Sequence, residues 1–278
     1  MPRHTGSAVL PPDRSGSPGS LIVSFAGSYL RQLGGWIAVA DLIRCLDQLG
    51  LTESSVRQAL VRLKTRGFLA AERRSGEAGY LLTDAGLRDL TTGDRRIFRP
   101  ATATAEDGWV LAVFSVPETQ RHLRYQLRTE LSWLGFGTVS PGVWIAPRPL
   151  ADPTRALLAE AGLDEYVTWF AAQHLTEIDV ATWWDLDSLR AQYETFLAEH
   201  RPAIAVGSGE SGIPDEHAFA GYLRLIDDWR LFPRLDPGLP EPLLPAGWPA
   251  RSAWELFDQL RAAWSEPGLR YVRAVTER

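Results

Sequence analysis

Between Glu53 and Arg66 the side chains able to do chemistry fall on one side of a helical repeat. At about 100° per residue, Val56, Ala59, Leu60 and Leu63 cluster on one face, while Ser54, Gln58, Val61, Arg62 and Thr65 take the other. Arg57 and Lys64 lie on one flank of that outer face, Ser55 and Arg66 on the other. A helix face made only for water mixes Glu with Lys. Here Glu53 is the sole acid, and it sits in the first turn, where the helix dipole favours it. The chemistry on offer is hydrogen bonding backed by positive charge, which suits base edges and the phosphates beside them in a major groove that admits one helix. Two further arginines, Arg73 and Arg74, stand in FLAAERR, which with SGEAG and YLLT reads as two strands joined by a glycine-containing loop. Ser54, Ser55, Gln58 and Arg62 are therefore the candidates to touch bases. Arg57, Lys64, Arg66, Arg73 and Arg74 are the candidates to meet the backbone. The competing reading is a solvated helix on a protein-interaction domain.

The elements that must position these groups are legible around them. Residues 1–19, rich in Pro, Gly and Ser, read as a disordered tail. From Ser20 the spacing of Leu21, Phe25, Tyr29 and Leu30 predicts a helix that Gly34 and Gly35 stop, followed by a short extended piece at Trp36 and Ile37. A second helix, Val39 to Leu49, turns Leu42, Ile43, Leu46 and Leu49 inward and ends at Gly50; Thr52 caps the third, which ends at Gly67. Helices with a basic hairpin behind them predict a winged helix-turn-helix over residues 20–100. After a linker, residues 108–180 follow the order β-α-β-β-α-β of a ferredoxin-like domain. Residues 183–278 read as a helical domain, with helices at 185–199, 214–232 and 250–265. The proline-rich stretch LDPGLPEPLLPAGWPAR should pack across them. The fold class is α+β and multidomain.

Composition bounds the rest. With 278 residues, 45% hydrophobic and 23% charged, the chain can bury sizeable cores. A single cysteine excludes an internal disulfide and any Cys-rich zinc site. Residues 1–100 carry 14 Lys+Arg against 9 Asp+Glu, a net of +5, whereas residues 101–278 carry 15 against 25, a net of −10. A basic head on an acidic body is what a small anion-binding module joined to a larger non-binding partner would produce. No apolar run is long enough for a membrane span, and the N-terminal residues show no secretion-signal pattern, so a cytoplasmic protein is expected.

No catalytic constellation stands out. The five histidines never take a metal-ligand spacing, and there is no phosphate-cradling glycine loop, so neither a metal nor a cofactor nor enzyme activity is expected. Cys45 falls on the inward flank of the second helix, as a small core residue would. The acid pairs Asp227/Asp228 and Asp185/Asp187 read as solvated helix faces and caps. Ten of the 11 tryptophans follow residue 100. Core packing explains them, and an aromatic-lined effector pocket around Trp229, with Arg224, Arg230 and Arg234 meeting an anionic group, is the sharper alternative.

Taken together, several strings resemble one family. SLIVSFAGSYLRQLGG, LGLTESSVRQALVRLKTRGFL and RRSGEAGYLLTDAG within residues 20–98, DGWVLAVF and LRTELSWLGFG in the centre, and YETFLAEHRP with DPGLPEPLLPAGWPA near the end are similar to the PaaX family of phenylacetate-catabolism repressors. The resemblance implies a homodimeric repressor with an N-terminal winged helix, a central domain like Cas2 and a helical C-terminal domain. It implies a double-stranded operator as partner, released by a small effector such as phenylacetyl-CoA or another acyl-CoA. Carried onto this chain, it puts recognition on Ser54, Ser55, Arg57, Gln58 and Arg62 and the wing contacts on Arg73 and Arg74. The tip SGEAGY departs from the more basic, aromatic tip expected of the family. Two alternatives remain: a divergent regulator of secondary metabolism without acyl-CoA response, and a Cas2-like metal-dependent nuclease. Against the nuclease, the first strand of the central domain ends at Ser115, with only Glu118 beyond it, where such an enzyme needs a carboxylate.

Overall fold

The computed structural model describes residues 15–98, 103–174, 179–207 and 213–277; the first 14 residues of the expected tail lie outside them. In chain order the elements are α1 (Pro18–Ser28), β1 (Trp36–Ala38), α2 (Val39–Asp47), α3 (Glu53–Thr65), β2 (Leu69–Arg74), β3 (Glu77–Leu82) and α4 (Asp84–Phe98). Then follow β4 (Trp109–Phe114), α5 (Arg121–Trp133), β5 (Gly137–Ser140), β6 (Val143–Pro147), α6 (Ala151–Glu160) and β7 (Val167–Ala172). The last part holds α7 (Leu186–His200), α8 (Pro202–Gly207), α9 (Asp215–Trp229), α10 (Phe232–Leu235) and α11 (Ala250–Thr276). The chain forms two compact units. Among the described residues, one groups 15–94 with 194–231 and 250–277; the other groups 95–193 with 232–249.

In the first unit α1 starts at Pro18 rather than Ser20, because Ser17 caps it by accepting from the Ser20 amide. Its Leu21, Ile22, Phe25 and Ala26 are all buried, as befits a helix packed against both α3 and α9. Two serines interrupt this apolar surface one turn apart, and both donate to one carboxylate. Ser20 Oγ lies 2.6 Å and Ser24 Oγ 2.7 Å from Asp227 Oδ1. The Gly16 amide donates to Asp227 Oδ2 at 2.7 Å, Arg230 Nε lies 3.1 Å from Oδ1, and Arg230 also donates to Ser20 Oγ at 2.6 Å. Asp227 is 1% exposed, which overturns its reading as a solvated acid. The adjacent Asp228 accepts from Ser15 and lies 2.9 Å from His200 Nε2. A buried carboxylate is tolerable because donors replace the water it lost.

The helix expected to stop at Ser265 instead continues to Thr276 through Pro267. Proline removes one helical N–H, a cost that packing outweighs here. Gly268, directly after it, is where α11 meets the aromatic core: a Cβ there would stand 2.5 Å from Tyr29 Oη and 3.2 Å from Phe219 Cα. Phe25, Tyr29 and Phe219 pack ring to ring with centroids 5.5 to 6.3 Å apart, and Tyr271 adds to Phe219 at 5.1 Å.

The hairpin β2–β3 differs from its sequence reading in its tip. Only Ser75 and Gly76, both with positive φ, form the turn, and EAG belongs to β3. Two left-handed residues give the twist that a right-handed strand pair needs. Gly79 is inside a strand because the Trp36 indole covers it, in the three-stranded sheet β1-β3-β2.

In the second unit four antiparallel strands take the order β5-β6-β4-β7, with α5 between β4 and β5 and α6 between β6 and β7. β4 is buried on the face of Val110, Ala112 and Phe114 and partly covered on the face of Trp109, Leu111 and Val113, hence its continuous apolar run. Val110, Ala112 and Phe114 face the core that includes Leu127 and Leu131 of α5 and Leu158 of α6. Trp109 and its neighbour Ile145 pack instead with Val180, Trp183, Trp184, Leu186 and Leu239. The proline-rich stretch thus lies against this second core through Leu239, Leu243, Leu244 and Trp248, not across helices alone as expected. Its anchor is Asp236, whose carboxylate accepts from Tyr193 Oη at 2.6 Å and the Gly238 amide at 2.7 Å. Burial pushes the Asp236 carboxyl up and the two donors pull it back.

Three outcomes are expected. Asp227→Ala removes the acceptor for five donors, the Ser15 hydroxyl at 3.2 Å among them, and strands the half-buried Arg230, which should cost about 3–5 kcal/mol in urea unfolding. Gly79→Ala brings a Cβ to 2.4 Å from the Trp36 ring and 2.6 Å from the Ile37 carbonyl, and the overpacking should cost about 1–3 kcal/mol on the same measurement. Burial, and secondarily the Asp41 carboxylate, push the Cys45 thiol up from 9.0 to about 12. Because the folded value is raised, its contribution to stability is whole below pH 9 and is lost as pH climbs towards 12. At pH 8 a thiol-reactive disulfide should therefore label Cys45 only as fast as the protein opens, with full labelling in denaturant.

Candidate nucleic-acid interface

Gly50, at φ +78°, turns the chain between α2 and α3, and its amide donates to the Asp47 carbonyl at 2.8 Å. Thr52 caps α3 by accepting from the Ser55 amide at 3.3 Å, and Gly67, again left-handed, follows its end. Val56, Ala59, Leu60 and Leu63 are buried, as the helical repeat requires, and α1 lies against this helix. Ser54, Arg57, Gln58, Val61, Arg62, Lys64, Thr65 and Arg66 are all exposed. The two faces expected of this helix are therefore present in the structure.

Within the stripe the groups differ in how free they are. Arg62 and Lys64 have no acidic partner among the described residues, so their charge is uncommitted. Arg57 pairs with Glu53 at 2.7 Å across one exposed turn, a contact that an anion can displace at little cost. Ser55, half-buried, donates its hydroxyl to the Thr52 carbonyl at 2.7 Å, which makes it a capping residue before it is a reading one. Ser54 and Gln58 share the outward direction with Arg62.

Arg73 and Arg74, adjacent on β2, point to opposite faces of the hairpin. Arg74 lies 2.7 Å from Glu72 and sits over the Trp36 ring at 5.4 Å, while Arg73 donates to the Gly76 carbonyl at the tip. The sequence placed both against one backbone; the pleat separates them. Trp36, which the residue pattern did not mark, is the platform of the hairpin: it covers Gly79, holds Arg74, and approaches the Glu72 carbonyl through Nε1 at 3.4 Å. Val61 was likewise passed over, and at 58% it is among the most exposed of the large apolar residues.

Of the four residues expected around an effector, three are described, and their settings differ. Trp229 is 3% exposed and stacks on Phe257 with centroids 4.6 Å apart, so it belongs to the core. Arg230 is committed to Asp227 and Ser20, and Arg224 is exposed. The side chain of Arg234 lies outside the described residues. Among the described residues, neither Trp229, Arg224 nor Arg230 lines the open depression of about 310 Å³ formed by Asp107, Gly108, Trp109, Arg148, Ala171, Ala172 and Gln173.

Among the described residues, Glu199, His200 and Asp228 are the group with metal-ligand reach, their ligand atoms lying within 4.8 Å of one another. Asp228 is already engaged there by His200 Nε2 and the Ser15 hydroxyl, and Glu199 is exposed. Ser115 follows β4 and donates its amide to the Tyr166 carbonyl, and Glu118 lies 3.3 Å from Arg124. Among the described residues, no helix is long and apolar enough to cross a membrane.

Comparison with known proteins places this geometry in a lineage. Residues 17–86 match the family model of the PaaX-like protein, residues 102–182 that of the PaaX protein central Cas2-like domain, and residues 184–274 that of the PaaX-like protein C-terminal domain. The transcriptional repressor PaaX of Escherichia coli (strain K12) is 32% identical over 245 residues, covering 85% of this chain and 77% of the repressor. The solved structure of the uncharacterized protein Rv0674 from Mycobacterium tuberculosis shares the fold with a TM-score of 0.61 at 23% identity, over 93% of this chain and 98% of that one. With family models matching most of its length and a curated repressor at this identity, the chain belongs to the PaaX family.

Proposed function

We propose that the chain is a sequence-specific transcriptional repressor whose first hundred residues act as a winged helix-turn-helix. In this reading α2, the turn at Gly50 and α3 are the helix-turn-helix, α3 enters the major groove, and the β2–β3 wing meets phosphates. Ser54, Gln58 and Arg62 read base edges; Arg57, Lys64, Arg66 and Arg73 or Arg74 bind the backbone, and Ser55 orders the start of the helix. The observation that carries the proposal is the exposed stripe of α3, where Arg62 and Lys64 carry uncommitted positive charge beside hydrogen-bonding groups. The net +5 of residues 1–100 points the same way, and the relationship to a named repressor supports it.

The protein would act in the cytoplasm as a homodimer on an inverted-repeat operator, since two-fold symmetry presents paired helices to major grooves one helical turn, or a multiple, apart. Release by a small acyl-CoA such as phenylacetyl-CoA is the regulation that the family suggests. Among the described side chains considered for that ligand, Arg224 offers an exposed cation.

Duplex fragments selected from genomic DNA by the full-length chain supply the test. Arg62→Ala should weaken their binding by about 1–3 kcal/mol and relax sequence preference, as measured by fluorescence anisotropy. Lys64→Ala should weaken binding evenly across sequences and reduce the slope of log affinity against log salt by about one. Absence of salt-dependent duplex binding by the unaltered chain would overturn the reading. Phenylacetyl-CoA, if it is the effector, should raise the midpoint of thermal unfolding and release the bound duplex.

A further inference from the structure

One apolar side chain stands in the middle of the polar stripe of α3. Val61 is 58% exposed, and the helical repeat puts it within about 30° of the direction opposite the buried Val56, Ala59, Leu60 and Leu63. Gln58 lies about one turn before it, Thr65 about one turn after, and Arg62 beside it. A single exposed apolar residue is ordinary on a protein surface. Valine at this place is less so, because a β-branched side chain lowers helix propensity where no packing compensates. Intrinsic helix preference and hydration would both favour another residue here. What the position does offer is a small, stiff apolar group, flanked by groups that form hydrogen bonds.

We propose that Val61 is a specificity-determining residue that reads thymine, its isopropyl group packing on the 5-methyl group in the major groove. Thymine alone among the four unmodified bases presents a methyl on that edge, and apolar contact is how a side chain distinguishes it from cytosine without a hydrogen bond. The proposal rests on the reading of α3 as the groove-facing helix and adds a base to it: a thymine lying next to the bases that Gln58 and Arg62 contact. Val61 thus supplies the apolar element of a recognition surface whose other members are polar. Because the side chain is largely exposed, its truncation leaves the fold intact.

The experiment replaces each thymine of a selected duplex in turn by deoxyuridine, which removes the methyl and keeps every hydrogen-bonding group. Affinities are measured by anisotropy for the unaltered full-length chain and for Val61→Ala, whose thermal unfolding should match. At one thymine in each repeat of the site, the replacement should weaken the unaltered chain about fourfold, the worth of one buried methyl group. The same replacement should change Val61→Ala less than about twofold, because the partner of the methyl is gone. The inference is overturned if no thymine is sensitive, or if sensitivity persists unchanged in Val61→Ala, since the methyl then acts on another residue or on DNA shape. In both cases salt-dependent binding itself would leave the groove reading of α3 standing. Failure of the unaltered chain to bind any duplex would instead overturn that reading and this inference together.

Discussion

One carboxylate ties the N-terminal helix α1 to the late helix α9. Asp227 lies on α9, is all but sealed from water, and is held by Ser20 and Ser24 of α1, by the Gly16 amide and by Arg230. A polar group so deeply buried is stable only while its hydrogen-bond partners stay in place, so the network favours one register of α1 against α9 over its neighbours. α1 in turn is a wall against which the inner face of α3 rests. The direction in which α3 presents Ser54, Gln58 and Arg62 is therefore set partly by a residue far from them in sequence. Apolar packing around Phe25, Tyr29 and Phe219 supplies the bulk of that contact, and the charged network supplies its geometry.

The proposed interface divides its labour between groups that shape and groups that read. Thr52 and Ser55 satisfy the first turn of α3, Gly50 and Gly67 bend the chain at its two ends, and Trp36 props the hairpin. Outward on α3 stand Ser54, Gln58, Arg62 and Lys64. Positive charge at Arg62 and Lys64 is held in solvent, where it costs little in the free protein and becomes favourable when a phosphate displaces counterions. Pairs such as Arg57–Glu53 and Arg74–Glu72 hold two of the remaining cations in ordered positions without burying them.

How much could be read before the structure was known varied by residue, for physical reasons. α3 was legible because it touches the core on one side only, so its apolar residues carry the full 3.6-residue period. Cys45 was legible for the same reason. The hairpin was placed but its tip was not, since Gly79 looks like part of a loop until Trp36 is seen to cover it. α11 was cut short at its proline because a local rule was outweighed by the packing of Gly268 against Tyr29 and Phe219. Trp229, for which core packing was the first reading and one side of a pocket the sharper alternative, is packed in the core, and Arg230, read as a ligand for an anion, already has one in Asp227.

By itself the sequence determined which face of α3 is wet and which is dry, where glycines must bend the chain, and that the charge of the protein is split between a basic head and an acidic body. These are properties of neighbouring residues, governed by helical period and backbone sterics. Only the tertiary structure decided that Asp227 is buried, that 232–249 joins the central sheet's unit while 250–278 joins the N-terminal one, and that Arg73 and Arg74 face apart. Burial of a charge and the partner of a helix depend on residues about two hundred positions away, as Ser20 is from Asp227. No periodicity along the chain encodes those distances.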